Sequence, residues 1–254
     1  MGTLLLSSAR DDSSALTEAV GFIAVCLLVF AALFGGALAF ERFLMKRRAI
    51  SRVRRLTYTA LFSSMAAVLM LFELALPFAP GFYKLDLSEL PVMICSFYLG
   101  PVAGVTAELV KVLLKLLIKG TTTAFVGDFA NFAVGCAFVL PASLVYHARP
   151  GRRNALLGLI TGTLVMTVFG SAFNALYLIP RFAELFGMPL ESIVAMGTAV
   201  NGAIVSVPTL VLYAVVPFNL VKGVLVSLVT FFVYKPVSRA LSMELTRKPP
   251  AKNG

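Results

Sequence analysis

The stretch Gly127–Arg153, GDFANFAVGCAFVLPASLVYHARPGRR, decides how the rest of the chain is read. From Gly127 to Tyr146 it is apolar over about the 20 residues that a helix needs to cross a bilayer core. It opens on Asp128 and Asn131 and closes on Arg149, Arg152 and Arg153. Lys and Arg collect on the cytoplasmic side of membrane proteins. The arginines therefore mark the inner end of this span, and Asp128 and Asn131 the outer.

The same pattern repeats outward in both directions. Toward the N-terminus, an apolar run from Leu16 to Phe40 ends in Glu41, Arg42, Lys46, Arg47, Arg48, Arg52, Arg54 and Arg55. This is the densest basic block, and it puts the N-terminus outside. Residues 1–14 are polar and lack Lys, and no clean small-residue cleavage site follows, which is unlike a signal peptide. Leu56 to Phe78 then crosses outward. Val102 to Ile118 forms a further helix after the Gly100-Pro101 turn. Beyond the arginines, Ala155 to Ile179 crosses outward to a mixed-charge outer loop at 181–191. Gly197 to Val216 is apolar, and Pro217 is expected to break it. Gly223 to Tyr234 leads to Lys235, Arg239, Arg247, Lys248 and Lys252. The basic blocks 46–55, 149–153 and 235–252 fall on one side under one alternating topology. Two regions resist simple counting. The segments of 82–119 are short, which suits a re-entrant or tilted arrangement. Residues 192–236 need only one crossing, which suits a kink at Pro208 or Pro217.

The composition agrees. Hydrophobic residues make up 59% and charged residues 13% of the 254 residues, and mean hydropathy is +0.92. Soluble domains average roughly 45–50% apolar and about 25% charged. The chain has room for about six or seven spans and reads as a multi-pass plasma-membrane protein. Its net charge of +10 comes from span ends, and no zinc-finger, P-loop or aromatic-basic motif supports nucleic-acid binding. Cys26, Cys95 and Cys136 are scattered without CxxC spacing and read as small buried hydrophobes. His147 is the only histidine, which excludes a multi-His metal site, and it reads as interfacial.

Polar groups inside apolar spans cost roughly 2.5–3.5 kcal/mol per charge and mark functional sites by default. Four places stand out. Lys84, Asp86, Ser88 and Glu89 form either a cap or a solvated outer loop. Glu108, Lys111, Lys115 and Lys119 share one helical face. There a Glu108–Lys111 pair and outward-snorkelling Lys115 and Lys119 weigh against ligand binding. Asp128, Asn131 and Asn174 offer hydrogen bonds to a neutral heterocycle or to neighbouring helices. Asn219 and Lys222, three apart in Pro217-Phe-Asn-Leu-Val-Lys-Gly223, suit carbonyl oxygens. A separate small-residue stripe at Thr59, Ala60, Ser63, Ser64 and Ala67 allows close helix packing, within the bundle or with a partner.

Taken together these segments resemble the substrate-binding S-components of energy-coupling-factor (ECF) vitamin transporters, and most closely the riboflavin-specific type. The marks are Tyr83-Lys-Leu-Asp-Leu-Ser-Glu-Leu-Pro91, Leu99-Gly-Pro-Val-Ala-Gly104, the Glu108 and Lys111 helix, Gly127-Asp-Phe-Ala-Asn-Phe132, Asn174 and Pro217–Gly223. They span about residues 54–240. The resemblance implies an all-α, six-helix membrane bundle at 54–240, with an outward-facing vitamin pocket capped by the loop after its first helix. Residues 1–53 stand outside that pattern as an extension with an extra transmembrane helix and a basic linker, and 241–254 as a basic tail.

It further implies that Asn174, Asn219 and Lys222 hydrogen-bond the flavin ring, and that Lys84, Asp86 and Asn131 belong to the pocket or cap. Ala60, Ser64 and Ala67 would dock a transmembrane coupling subunit served by two ATPase subunits. Riboflavin is then cargo, no cofactor is implied, and the chain is not an enzyme. The alternatives are an S-component for thiamine or biotin, a self-sufficient secondary carrier, and a membrane enzyme. The carrier would need internal repeats, and the enzyme a metal or nucleophile constellation; neither is visible.

Overall fold

The structure is a computed structural model and describes residues 2–43, 50–121, 123 and 125–246. The basic residues Lys46, Arg47, Arg48, Arg247, Lys248 and Lys252 lie outside the described residues. The chain is built from helices, with one short hairpin.

Helix α1 (Gly2–Phe43) is the extra N-terminal helix. Helix α2 (Arg52–Met70) starts where the Ser51 hydroxyl accepts the Arg54 N–H at 3.4 Å, a side-chain N-cap. Strands β1 (Leu74–Ala75) and β2 (Lys84–Leu85) pair antiparallel and frame the loop that follows α2. Helix α3 (Glu89–Leu99) is short and almost wholly buried at the centre, against α2, α4, α5 and α10. Gly100 turns the chain with φ 110°, a backbone angle that suits glycine. Pro101 then opens α4 (Pro101–Lys119). Helices α5 (Val126–Ala148) and α6 (Arg152–Phe173) follow. The chain continues through a π turn, Asn174–Leu178, into α7 (Ile179–Leu185). After α8 (Leu190–Thr198), α9 (Val207–Leu210) runs through a second π turn, Val211–Val215, into α10 (Val216–Thr246).

Among the described residues, four helical segments are long and apolar enough to cross a membrane: Val20–Phe43, Val126–Ala148, Arg152–Glu184 and Val207–Leu241. Helices α2 and α4 are long enough but carry charges, and α3 is a short buried core helix. The all-helical arrangement fits the expected bundle with α1 added to it. Helix α1 packs Phe30, Leu33, Phe34 and Ala37 against Val105, Val112, Phe132 and Cys136 of α4 and α5.

Residues 192–236 hold one candidate crossing, as expected: α8 is short and the long apolar helix begins at Val207. Two expectations need correction. Residues 181–184 are not loop, because helix continues through α7. Pro217 does not break the last helix. The Val216 N–H instead reaches the Val211 carbonyl, five residues back. A proline inside an α-helix clashes with the carbonyl four residues earlier, here Tyr213, at the middle of the π turn. Widening that turn lets the helix pass the proline. The device occurs twice: the Ile179 N–H bonds the Asn174 carbonyl just before Pro180.

The inner core gathers Phe97, Phe138, Leu159, Met166 and Tyr234. Helices α5 and α6 meet there at bare backbone. A Cβ on Gly158 or Gly162 would fall 2.5 Å from the Ala142 or Phe138 carbonyl oxygen, so only glycine permits this approach. A separate outer cluster packs Leu76, Phe78, Ala79 and Leu85 of the loop against Ile179, Ile193, Ile204, Leu210 and Phe218. The loop after α2 is thus an apolar-anchored cap.

Candidate ligand-binding site

Beneath the cap, polar side chains from four elements converge. Asn174 begins the first π turn and is 7% exposed. Its Nδ2 donates to the Gly170 carbonyl at 2.8 Å, and its Oδ1 accepts the Tyr83 hydroxyl of the cap at 2.8 Å. Asn219, on α10, faces the same residue: a Cβ on Gly170 would lie 2.9 Å from its Nδ2. Gly170 therefore lets both amides sit on one patch of α6. The Asn219 Nδ2 is buried and has no hydrogen-bond acceptor among the described residues, although buried donors are rarely left unpaired.

One turn along α10, the Lys222 ammonium is 3.1 Å from Asp86 of the cap and 3.5 Å from Glu89. Glu89 in turn lies 3.0 Å from Lys111, which is 2.6 Å from Glu108. All of these side chains are buried. Burial by itself would raise the Asp86 carboxyl; the Lys222 and Lys111 ammoniums outweigh it and hold it below the usual range. Desolvation pushes the Tyr83 hydroxyl up, so it remains a protonated donor to Asn174. The Tyr83 ring rests 5.6 Å from Phe218 and 4.6 Å from Phe82, which gives the site an aromatic wall.

The cap engages two of the side chains that sequence reasoning selected, Asn174 through Tyr83 and Lys222 through Asp86. Asn174, Asn219, Lys222 and Asp86 come together. Asn131 is half-buried on the first turns of α5. Lys84 turns away: it is exposed and pairs with Glu73 at 3.0 Å, beside Lys119 at 2.9 Å from the same carboxylate. Burial would raise Glu73, but hydrogen bonds from Lys119 and Lys84 hold it below its ordinary value of 4.5. The Glu108–Lys111 pair is present as expected. Lys119 reaches the surface. Lys115 does not snorkel; it is buried and pairs with Asp128 at 2.6 Å, because α5 presents that carboxylate directly opposite.

Tyr83, Gly170 and Phe218 were not singled out from the sequence. Tyr83 stands three residues before Asp86, a spacing that in retrospect joins them on one cap. Gly170 carries no chemistry of its own and gave no signal. Among the described residues no group of His, Cys, Asp and Glu is arranged to hold a metal ion. On α2, Ala60 and Ser64 are exposed beside Leu61, Met65 and Val68, while Ala67 is turned into the bundle with Ser63 and Ala66.

Residues 54–234 match the family described as ECF transporter, substrate-specific component. The riboflavin transporter FmnP of Bacillus subtilis (strain 168) is 30% identical over 72% of this chain and 91% of its own length. The riboflavin transporter RibU of Staphylococcus aureus (strain TCH60) is 32% identical over 74% of this chain and 92% of its own. A solved S-component of a bacterial ECF transporter superposes with a TM-score of 0.58 at 31% identity, covering 78% of this chain and all of that one. The match begins after α1. With its apolar spans and outward cap, the chain is a multi-pass plasma-membrane transport protein and belongs to the substrate-specific components of ECF transporters.

Proposed function

We propose that this protein captures riboflavin from outside the cell and hands it to an ECF module made of a transmembrane coupling subunit and two ATPases. The observation that carries the cargo assignment is the buried Asn219 amide, which lacks an acceptor beside Asn174 and Lys222. Riboflavin is neutral, with a flat apolar ring and a carbonyl edge. Two amides and one ammonium supply donors to that edge, and the Tyr83 and Phe218 rings supply an apolar face, the mix expected of a small-molecule pocket. The names of the relatives point the same way. Asp86 and Asn131 complete the pocket, and Lys84 stands at its rim.

Entry of cargo requires Tyr83 to release Asn174 and Lys222 to turn from Asp86, so the cap opens as the ligand engages. The exposed face of α2, with Ala60 and Ser64 at its small-residue centre and Ala67 at its buried edge, is the docking surface for the coupling subunit. Helix α1 packs on α4 and α5 and leaves that face open.

The test is ligand identity. Mass spectrometry of the purified protein is expected to find riboflavin, and titration is expected to quench its fluorescence with sub-micromolar affinity. No binding above micromolar riboflavin, or tighter binding of thiamine or biotin in the same panel, ends the assignment. For docking, Ala60→Trp or Ser64→Leu is expected to abolish uptake in cells that carry the ECF module, with riboflavin binding intact. Unchanged uptake would remove the α2 surface.

A further inference from the structure

The buried charges beneath the cap do not balance. Among the described residues, Asp86, Glu89 and Glu108 face only two ammoniums, Lys111 and Lys222. Glu89, Glu108 and Lys111 are each 0–1% exposed, so no solvent shell carries the surplus negative charge. The neighbouring elements do not supply the missing cation. Helix α5 contributes Asp128, already committed to Lys115 at 2.6 Å, and the neutral Cys136 thiol. The buried faces of α2 and α6 carry no charged residue, and α1 presents Phe30, Leu33, Phe34 and Ala37.

The oxygens say where the imbalance is settled. The Glu89 and Glu108 carboxyls flank one ammonium, with Lys111 Nζ 3.0 Å from Glu89 Oε1 and 2.6 Å from Glu108 Oε2. Yet Glu89 Oε2 and Glu108 Oε1 lack any donor among the described residues, and Glu108 Oε2 has only the Lys111 ammonium at 2.6 Å. Lys111 serves both carboxylates, but one ammonium does not neutralise two carboxylates that meet in a dry site, and a single proton removes the remaining repulsion and makes a hydrogen bond. The bare backbone of Gly135 seats the pair: a Cβ there would lie 2.7 Å from Glu108 Oε2.

We propose that Glu89 and Glu108 share one proton, and that this buried site links cargo capture to proton binding. The linkage rests on the cargo reading above. Lys222 serves both as a counter-charge of Asp86 and Glu89 and as a donor to the cargo. When the ammonium turns toward a flavin carbonyl, Asp86 and Glu89 lose part of their compensation. The carboxyl pair then holds its proton more tightly. By thermodynamic linkage, affinity for the neutral cargo rises as pH falls through the titration of the pair and falls as pH rises.

The experiment uses the full-length protein in lipid nanodiscs, with infrared spectroscopy and riboflavin titration over a pH series. A protonated-carboxyl band is expected at neutral pH, and it is expected to disappear in Glu89→Gln and in Glu108→Gln alike. Riboflavin Kd in the wild-type protein is expected to rise with pH, toward the limit of about tenfold per pH unit for one linked proton. Glu108→Gln is expected to bind riboflavin with that dependence flattened. A wild-type protein without the band, or a band that survives either substitution, overturns the shared proton. A Kd independent of pH with the band in place overturns the linkage. Should the variants not fold, the wild-type band and Kd series decide both points. Failure to bind riboflavin at any pH is a separate result: it defeats the cargo assignment, and the band still decides the proton.

Discussion

Two halves of the bundle solve burial in opposite ways. The outer half, from the cap to the middle of α4, buries Asp86, Glu89, Glu108, Lys111, Lys115, Asp128 and Lys222 among the helices. The inner half buries Phe97, Tyr146 and Tyr234 ring against ring, with centroids 4.4–6.0 Å apart, over the glycine contact of α5 and α6. Apolar packing holds the inner half whatever the ligand state, because no charge there depends on a partner that must move. The outer half is held by charges that compensate one another, and two of its ties, Tyr83–Asn174 and Asp86–Lys222, join the cap to the residues proposed to bind the cargo. The comparison teaches where this protein is built to change: the end that exchanges partners is polar, and the end that anchors it is close-packed.

The largest break in the contrast is expected from Lys222→Met. It removes a donor to the cargo and leaves Asp86 and Glu89 short of a cation. Losing one partner of a buried pair costs about 2–5 kcal/mol, which at the lower end is already some 30-fold in Kd. Riboflavin titration should show at least that loss, and a thermal melt should show destabilisation as well. Wild-type affinity would remove Lys222 from the site.

Gly162→Leu attacks the inner half instead. Overpacking costs about 1–3 kcal/mol, so the melting temperature should drop while the protein that remains folded binds with unchanged Kd. A Kd that changes with the melt would mean that the two halves are not separable.

Asn219→Ala comes next, at about 0.5–1.5 kcal/mol for one hydrogen bond, read as a several-fold weaker Kd without a change in melting. Glu41→Ala tests the added helix. Glu41 is buried, accepts the Arg55 guanidinium at 2.7 Å and caps the start of α4 through the Val102 N–H at 2.9 Å. Its loss should lower the melt by the equivalent of about 1–3 kcal/mol and leave riboflavin affinity alone. Smallest of all is Lys84→Ala, an exposed pair worth about 0–1 kcal/mol, with Kd expected within twofold. The pH sign at that rim is set by Glu73. Its depressed carboxyl helps hold the cap above its ordinary value of 4.5, and the help fades as pH falls through the lower folded value. Hydrogen exchange of residues 71–88 at acidic pH should report it.

Much of this was legible in the chain. Apolar runs of the right length and basic blocks on one side give the membrane topology, because both follow from transfer free energy and local charge. The Asn174, Asn219, Asp86 and Lys222 set stood out because polar residues are costly in such surroundings. Other features were not legible. Pro217 reads as a helix breaker from its own chemistry; whether the turn before it widens depends on the packing around α10. Lys115 reads as a snorkelling end residue until α5 places Asp128 beside it. Lys84 and Lys222 look alike in sequence, yet one lies exposed against Glu73 and the other beneath the cap.

By itself, then, the sequence determined that the chain lives in a bilayer and that a few polar side chains must be compensated there. Hydrophobicity and charge act locally, so they can be read residue by residue. Only the tertiary structure decided which charges compensate which, that Tyr83 occupies Asn174, that both amides share Gly170, and that three buried carboxylates meet two ammoniums. Those are distances between residues far apart in the chain, fixed by helix packing and by two π turns that re-aim the side chains beside them.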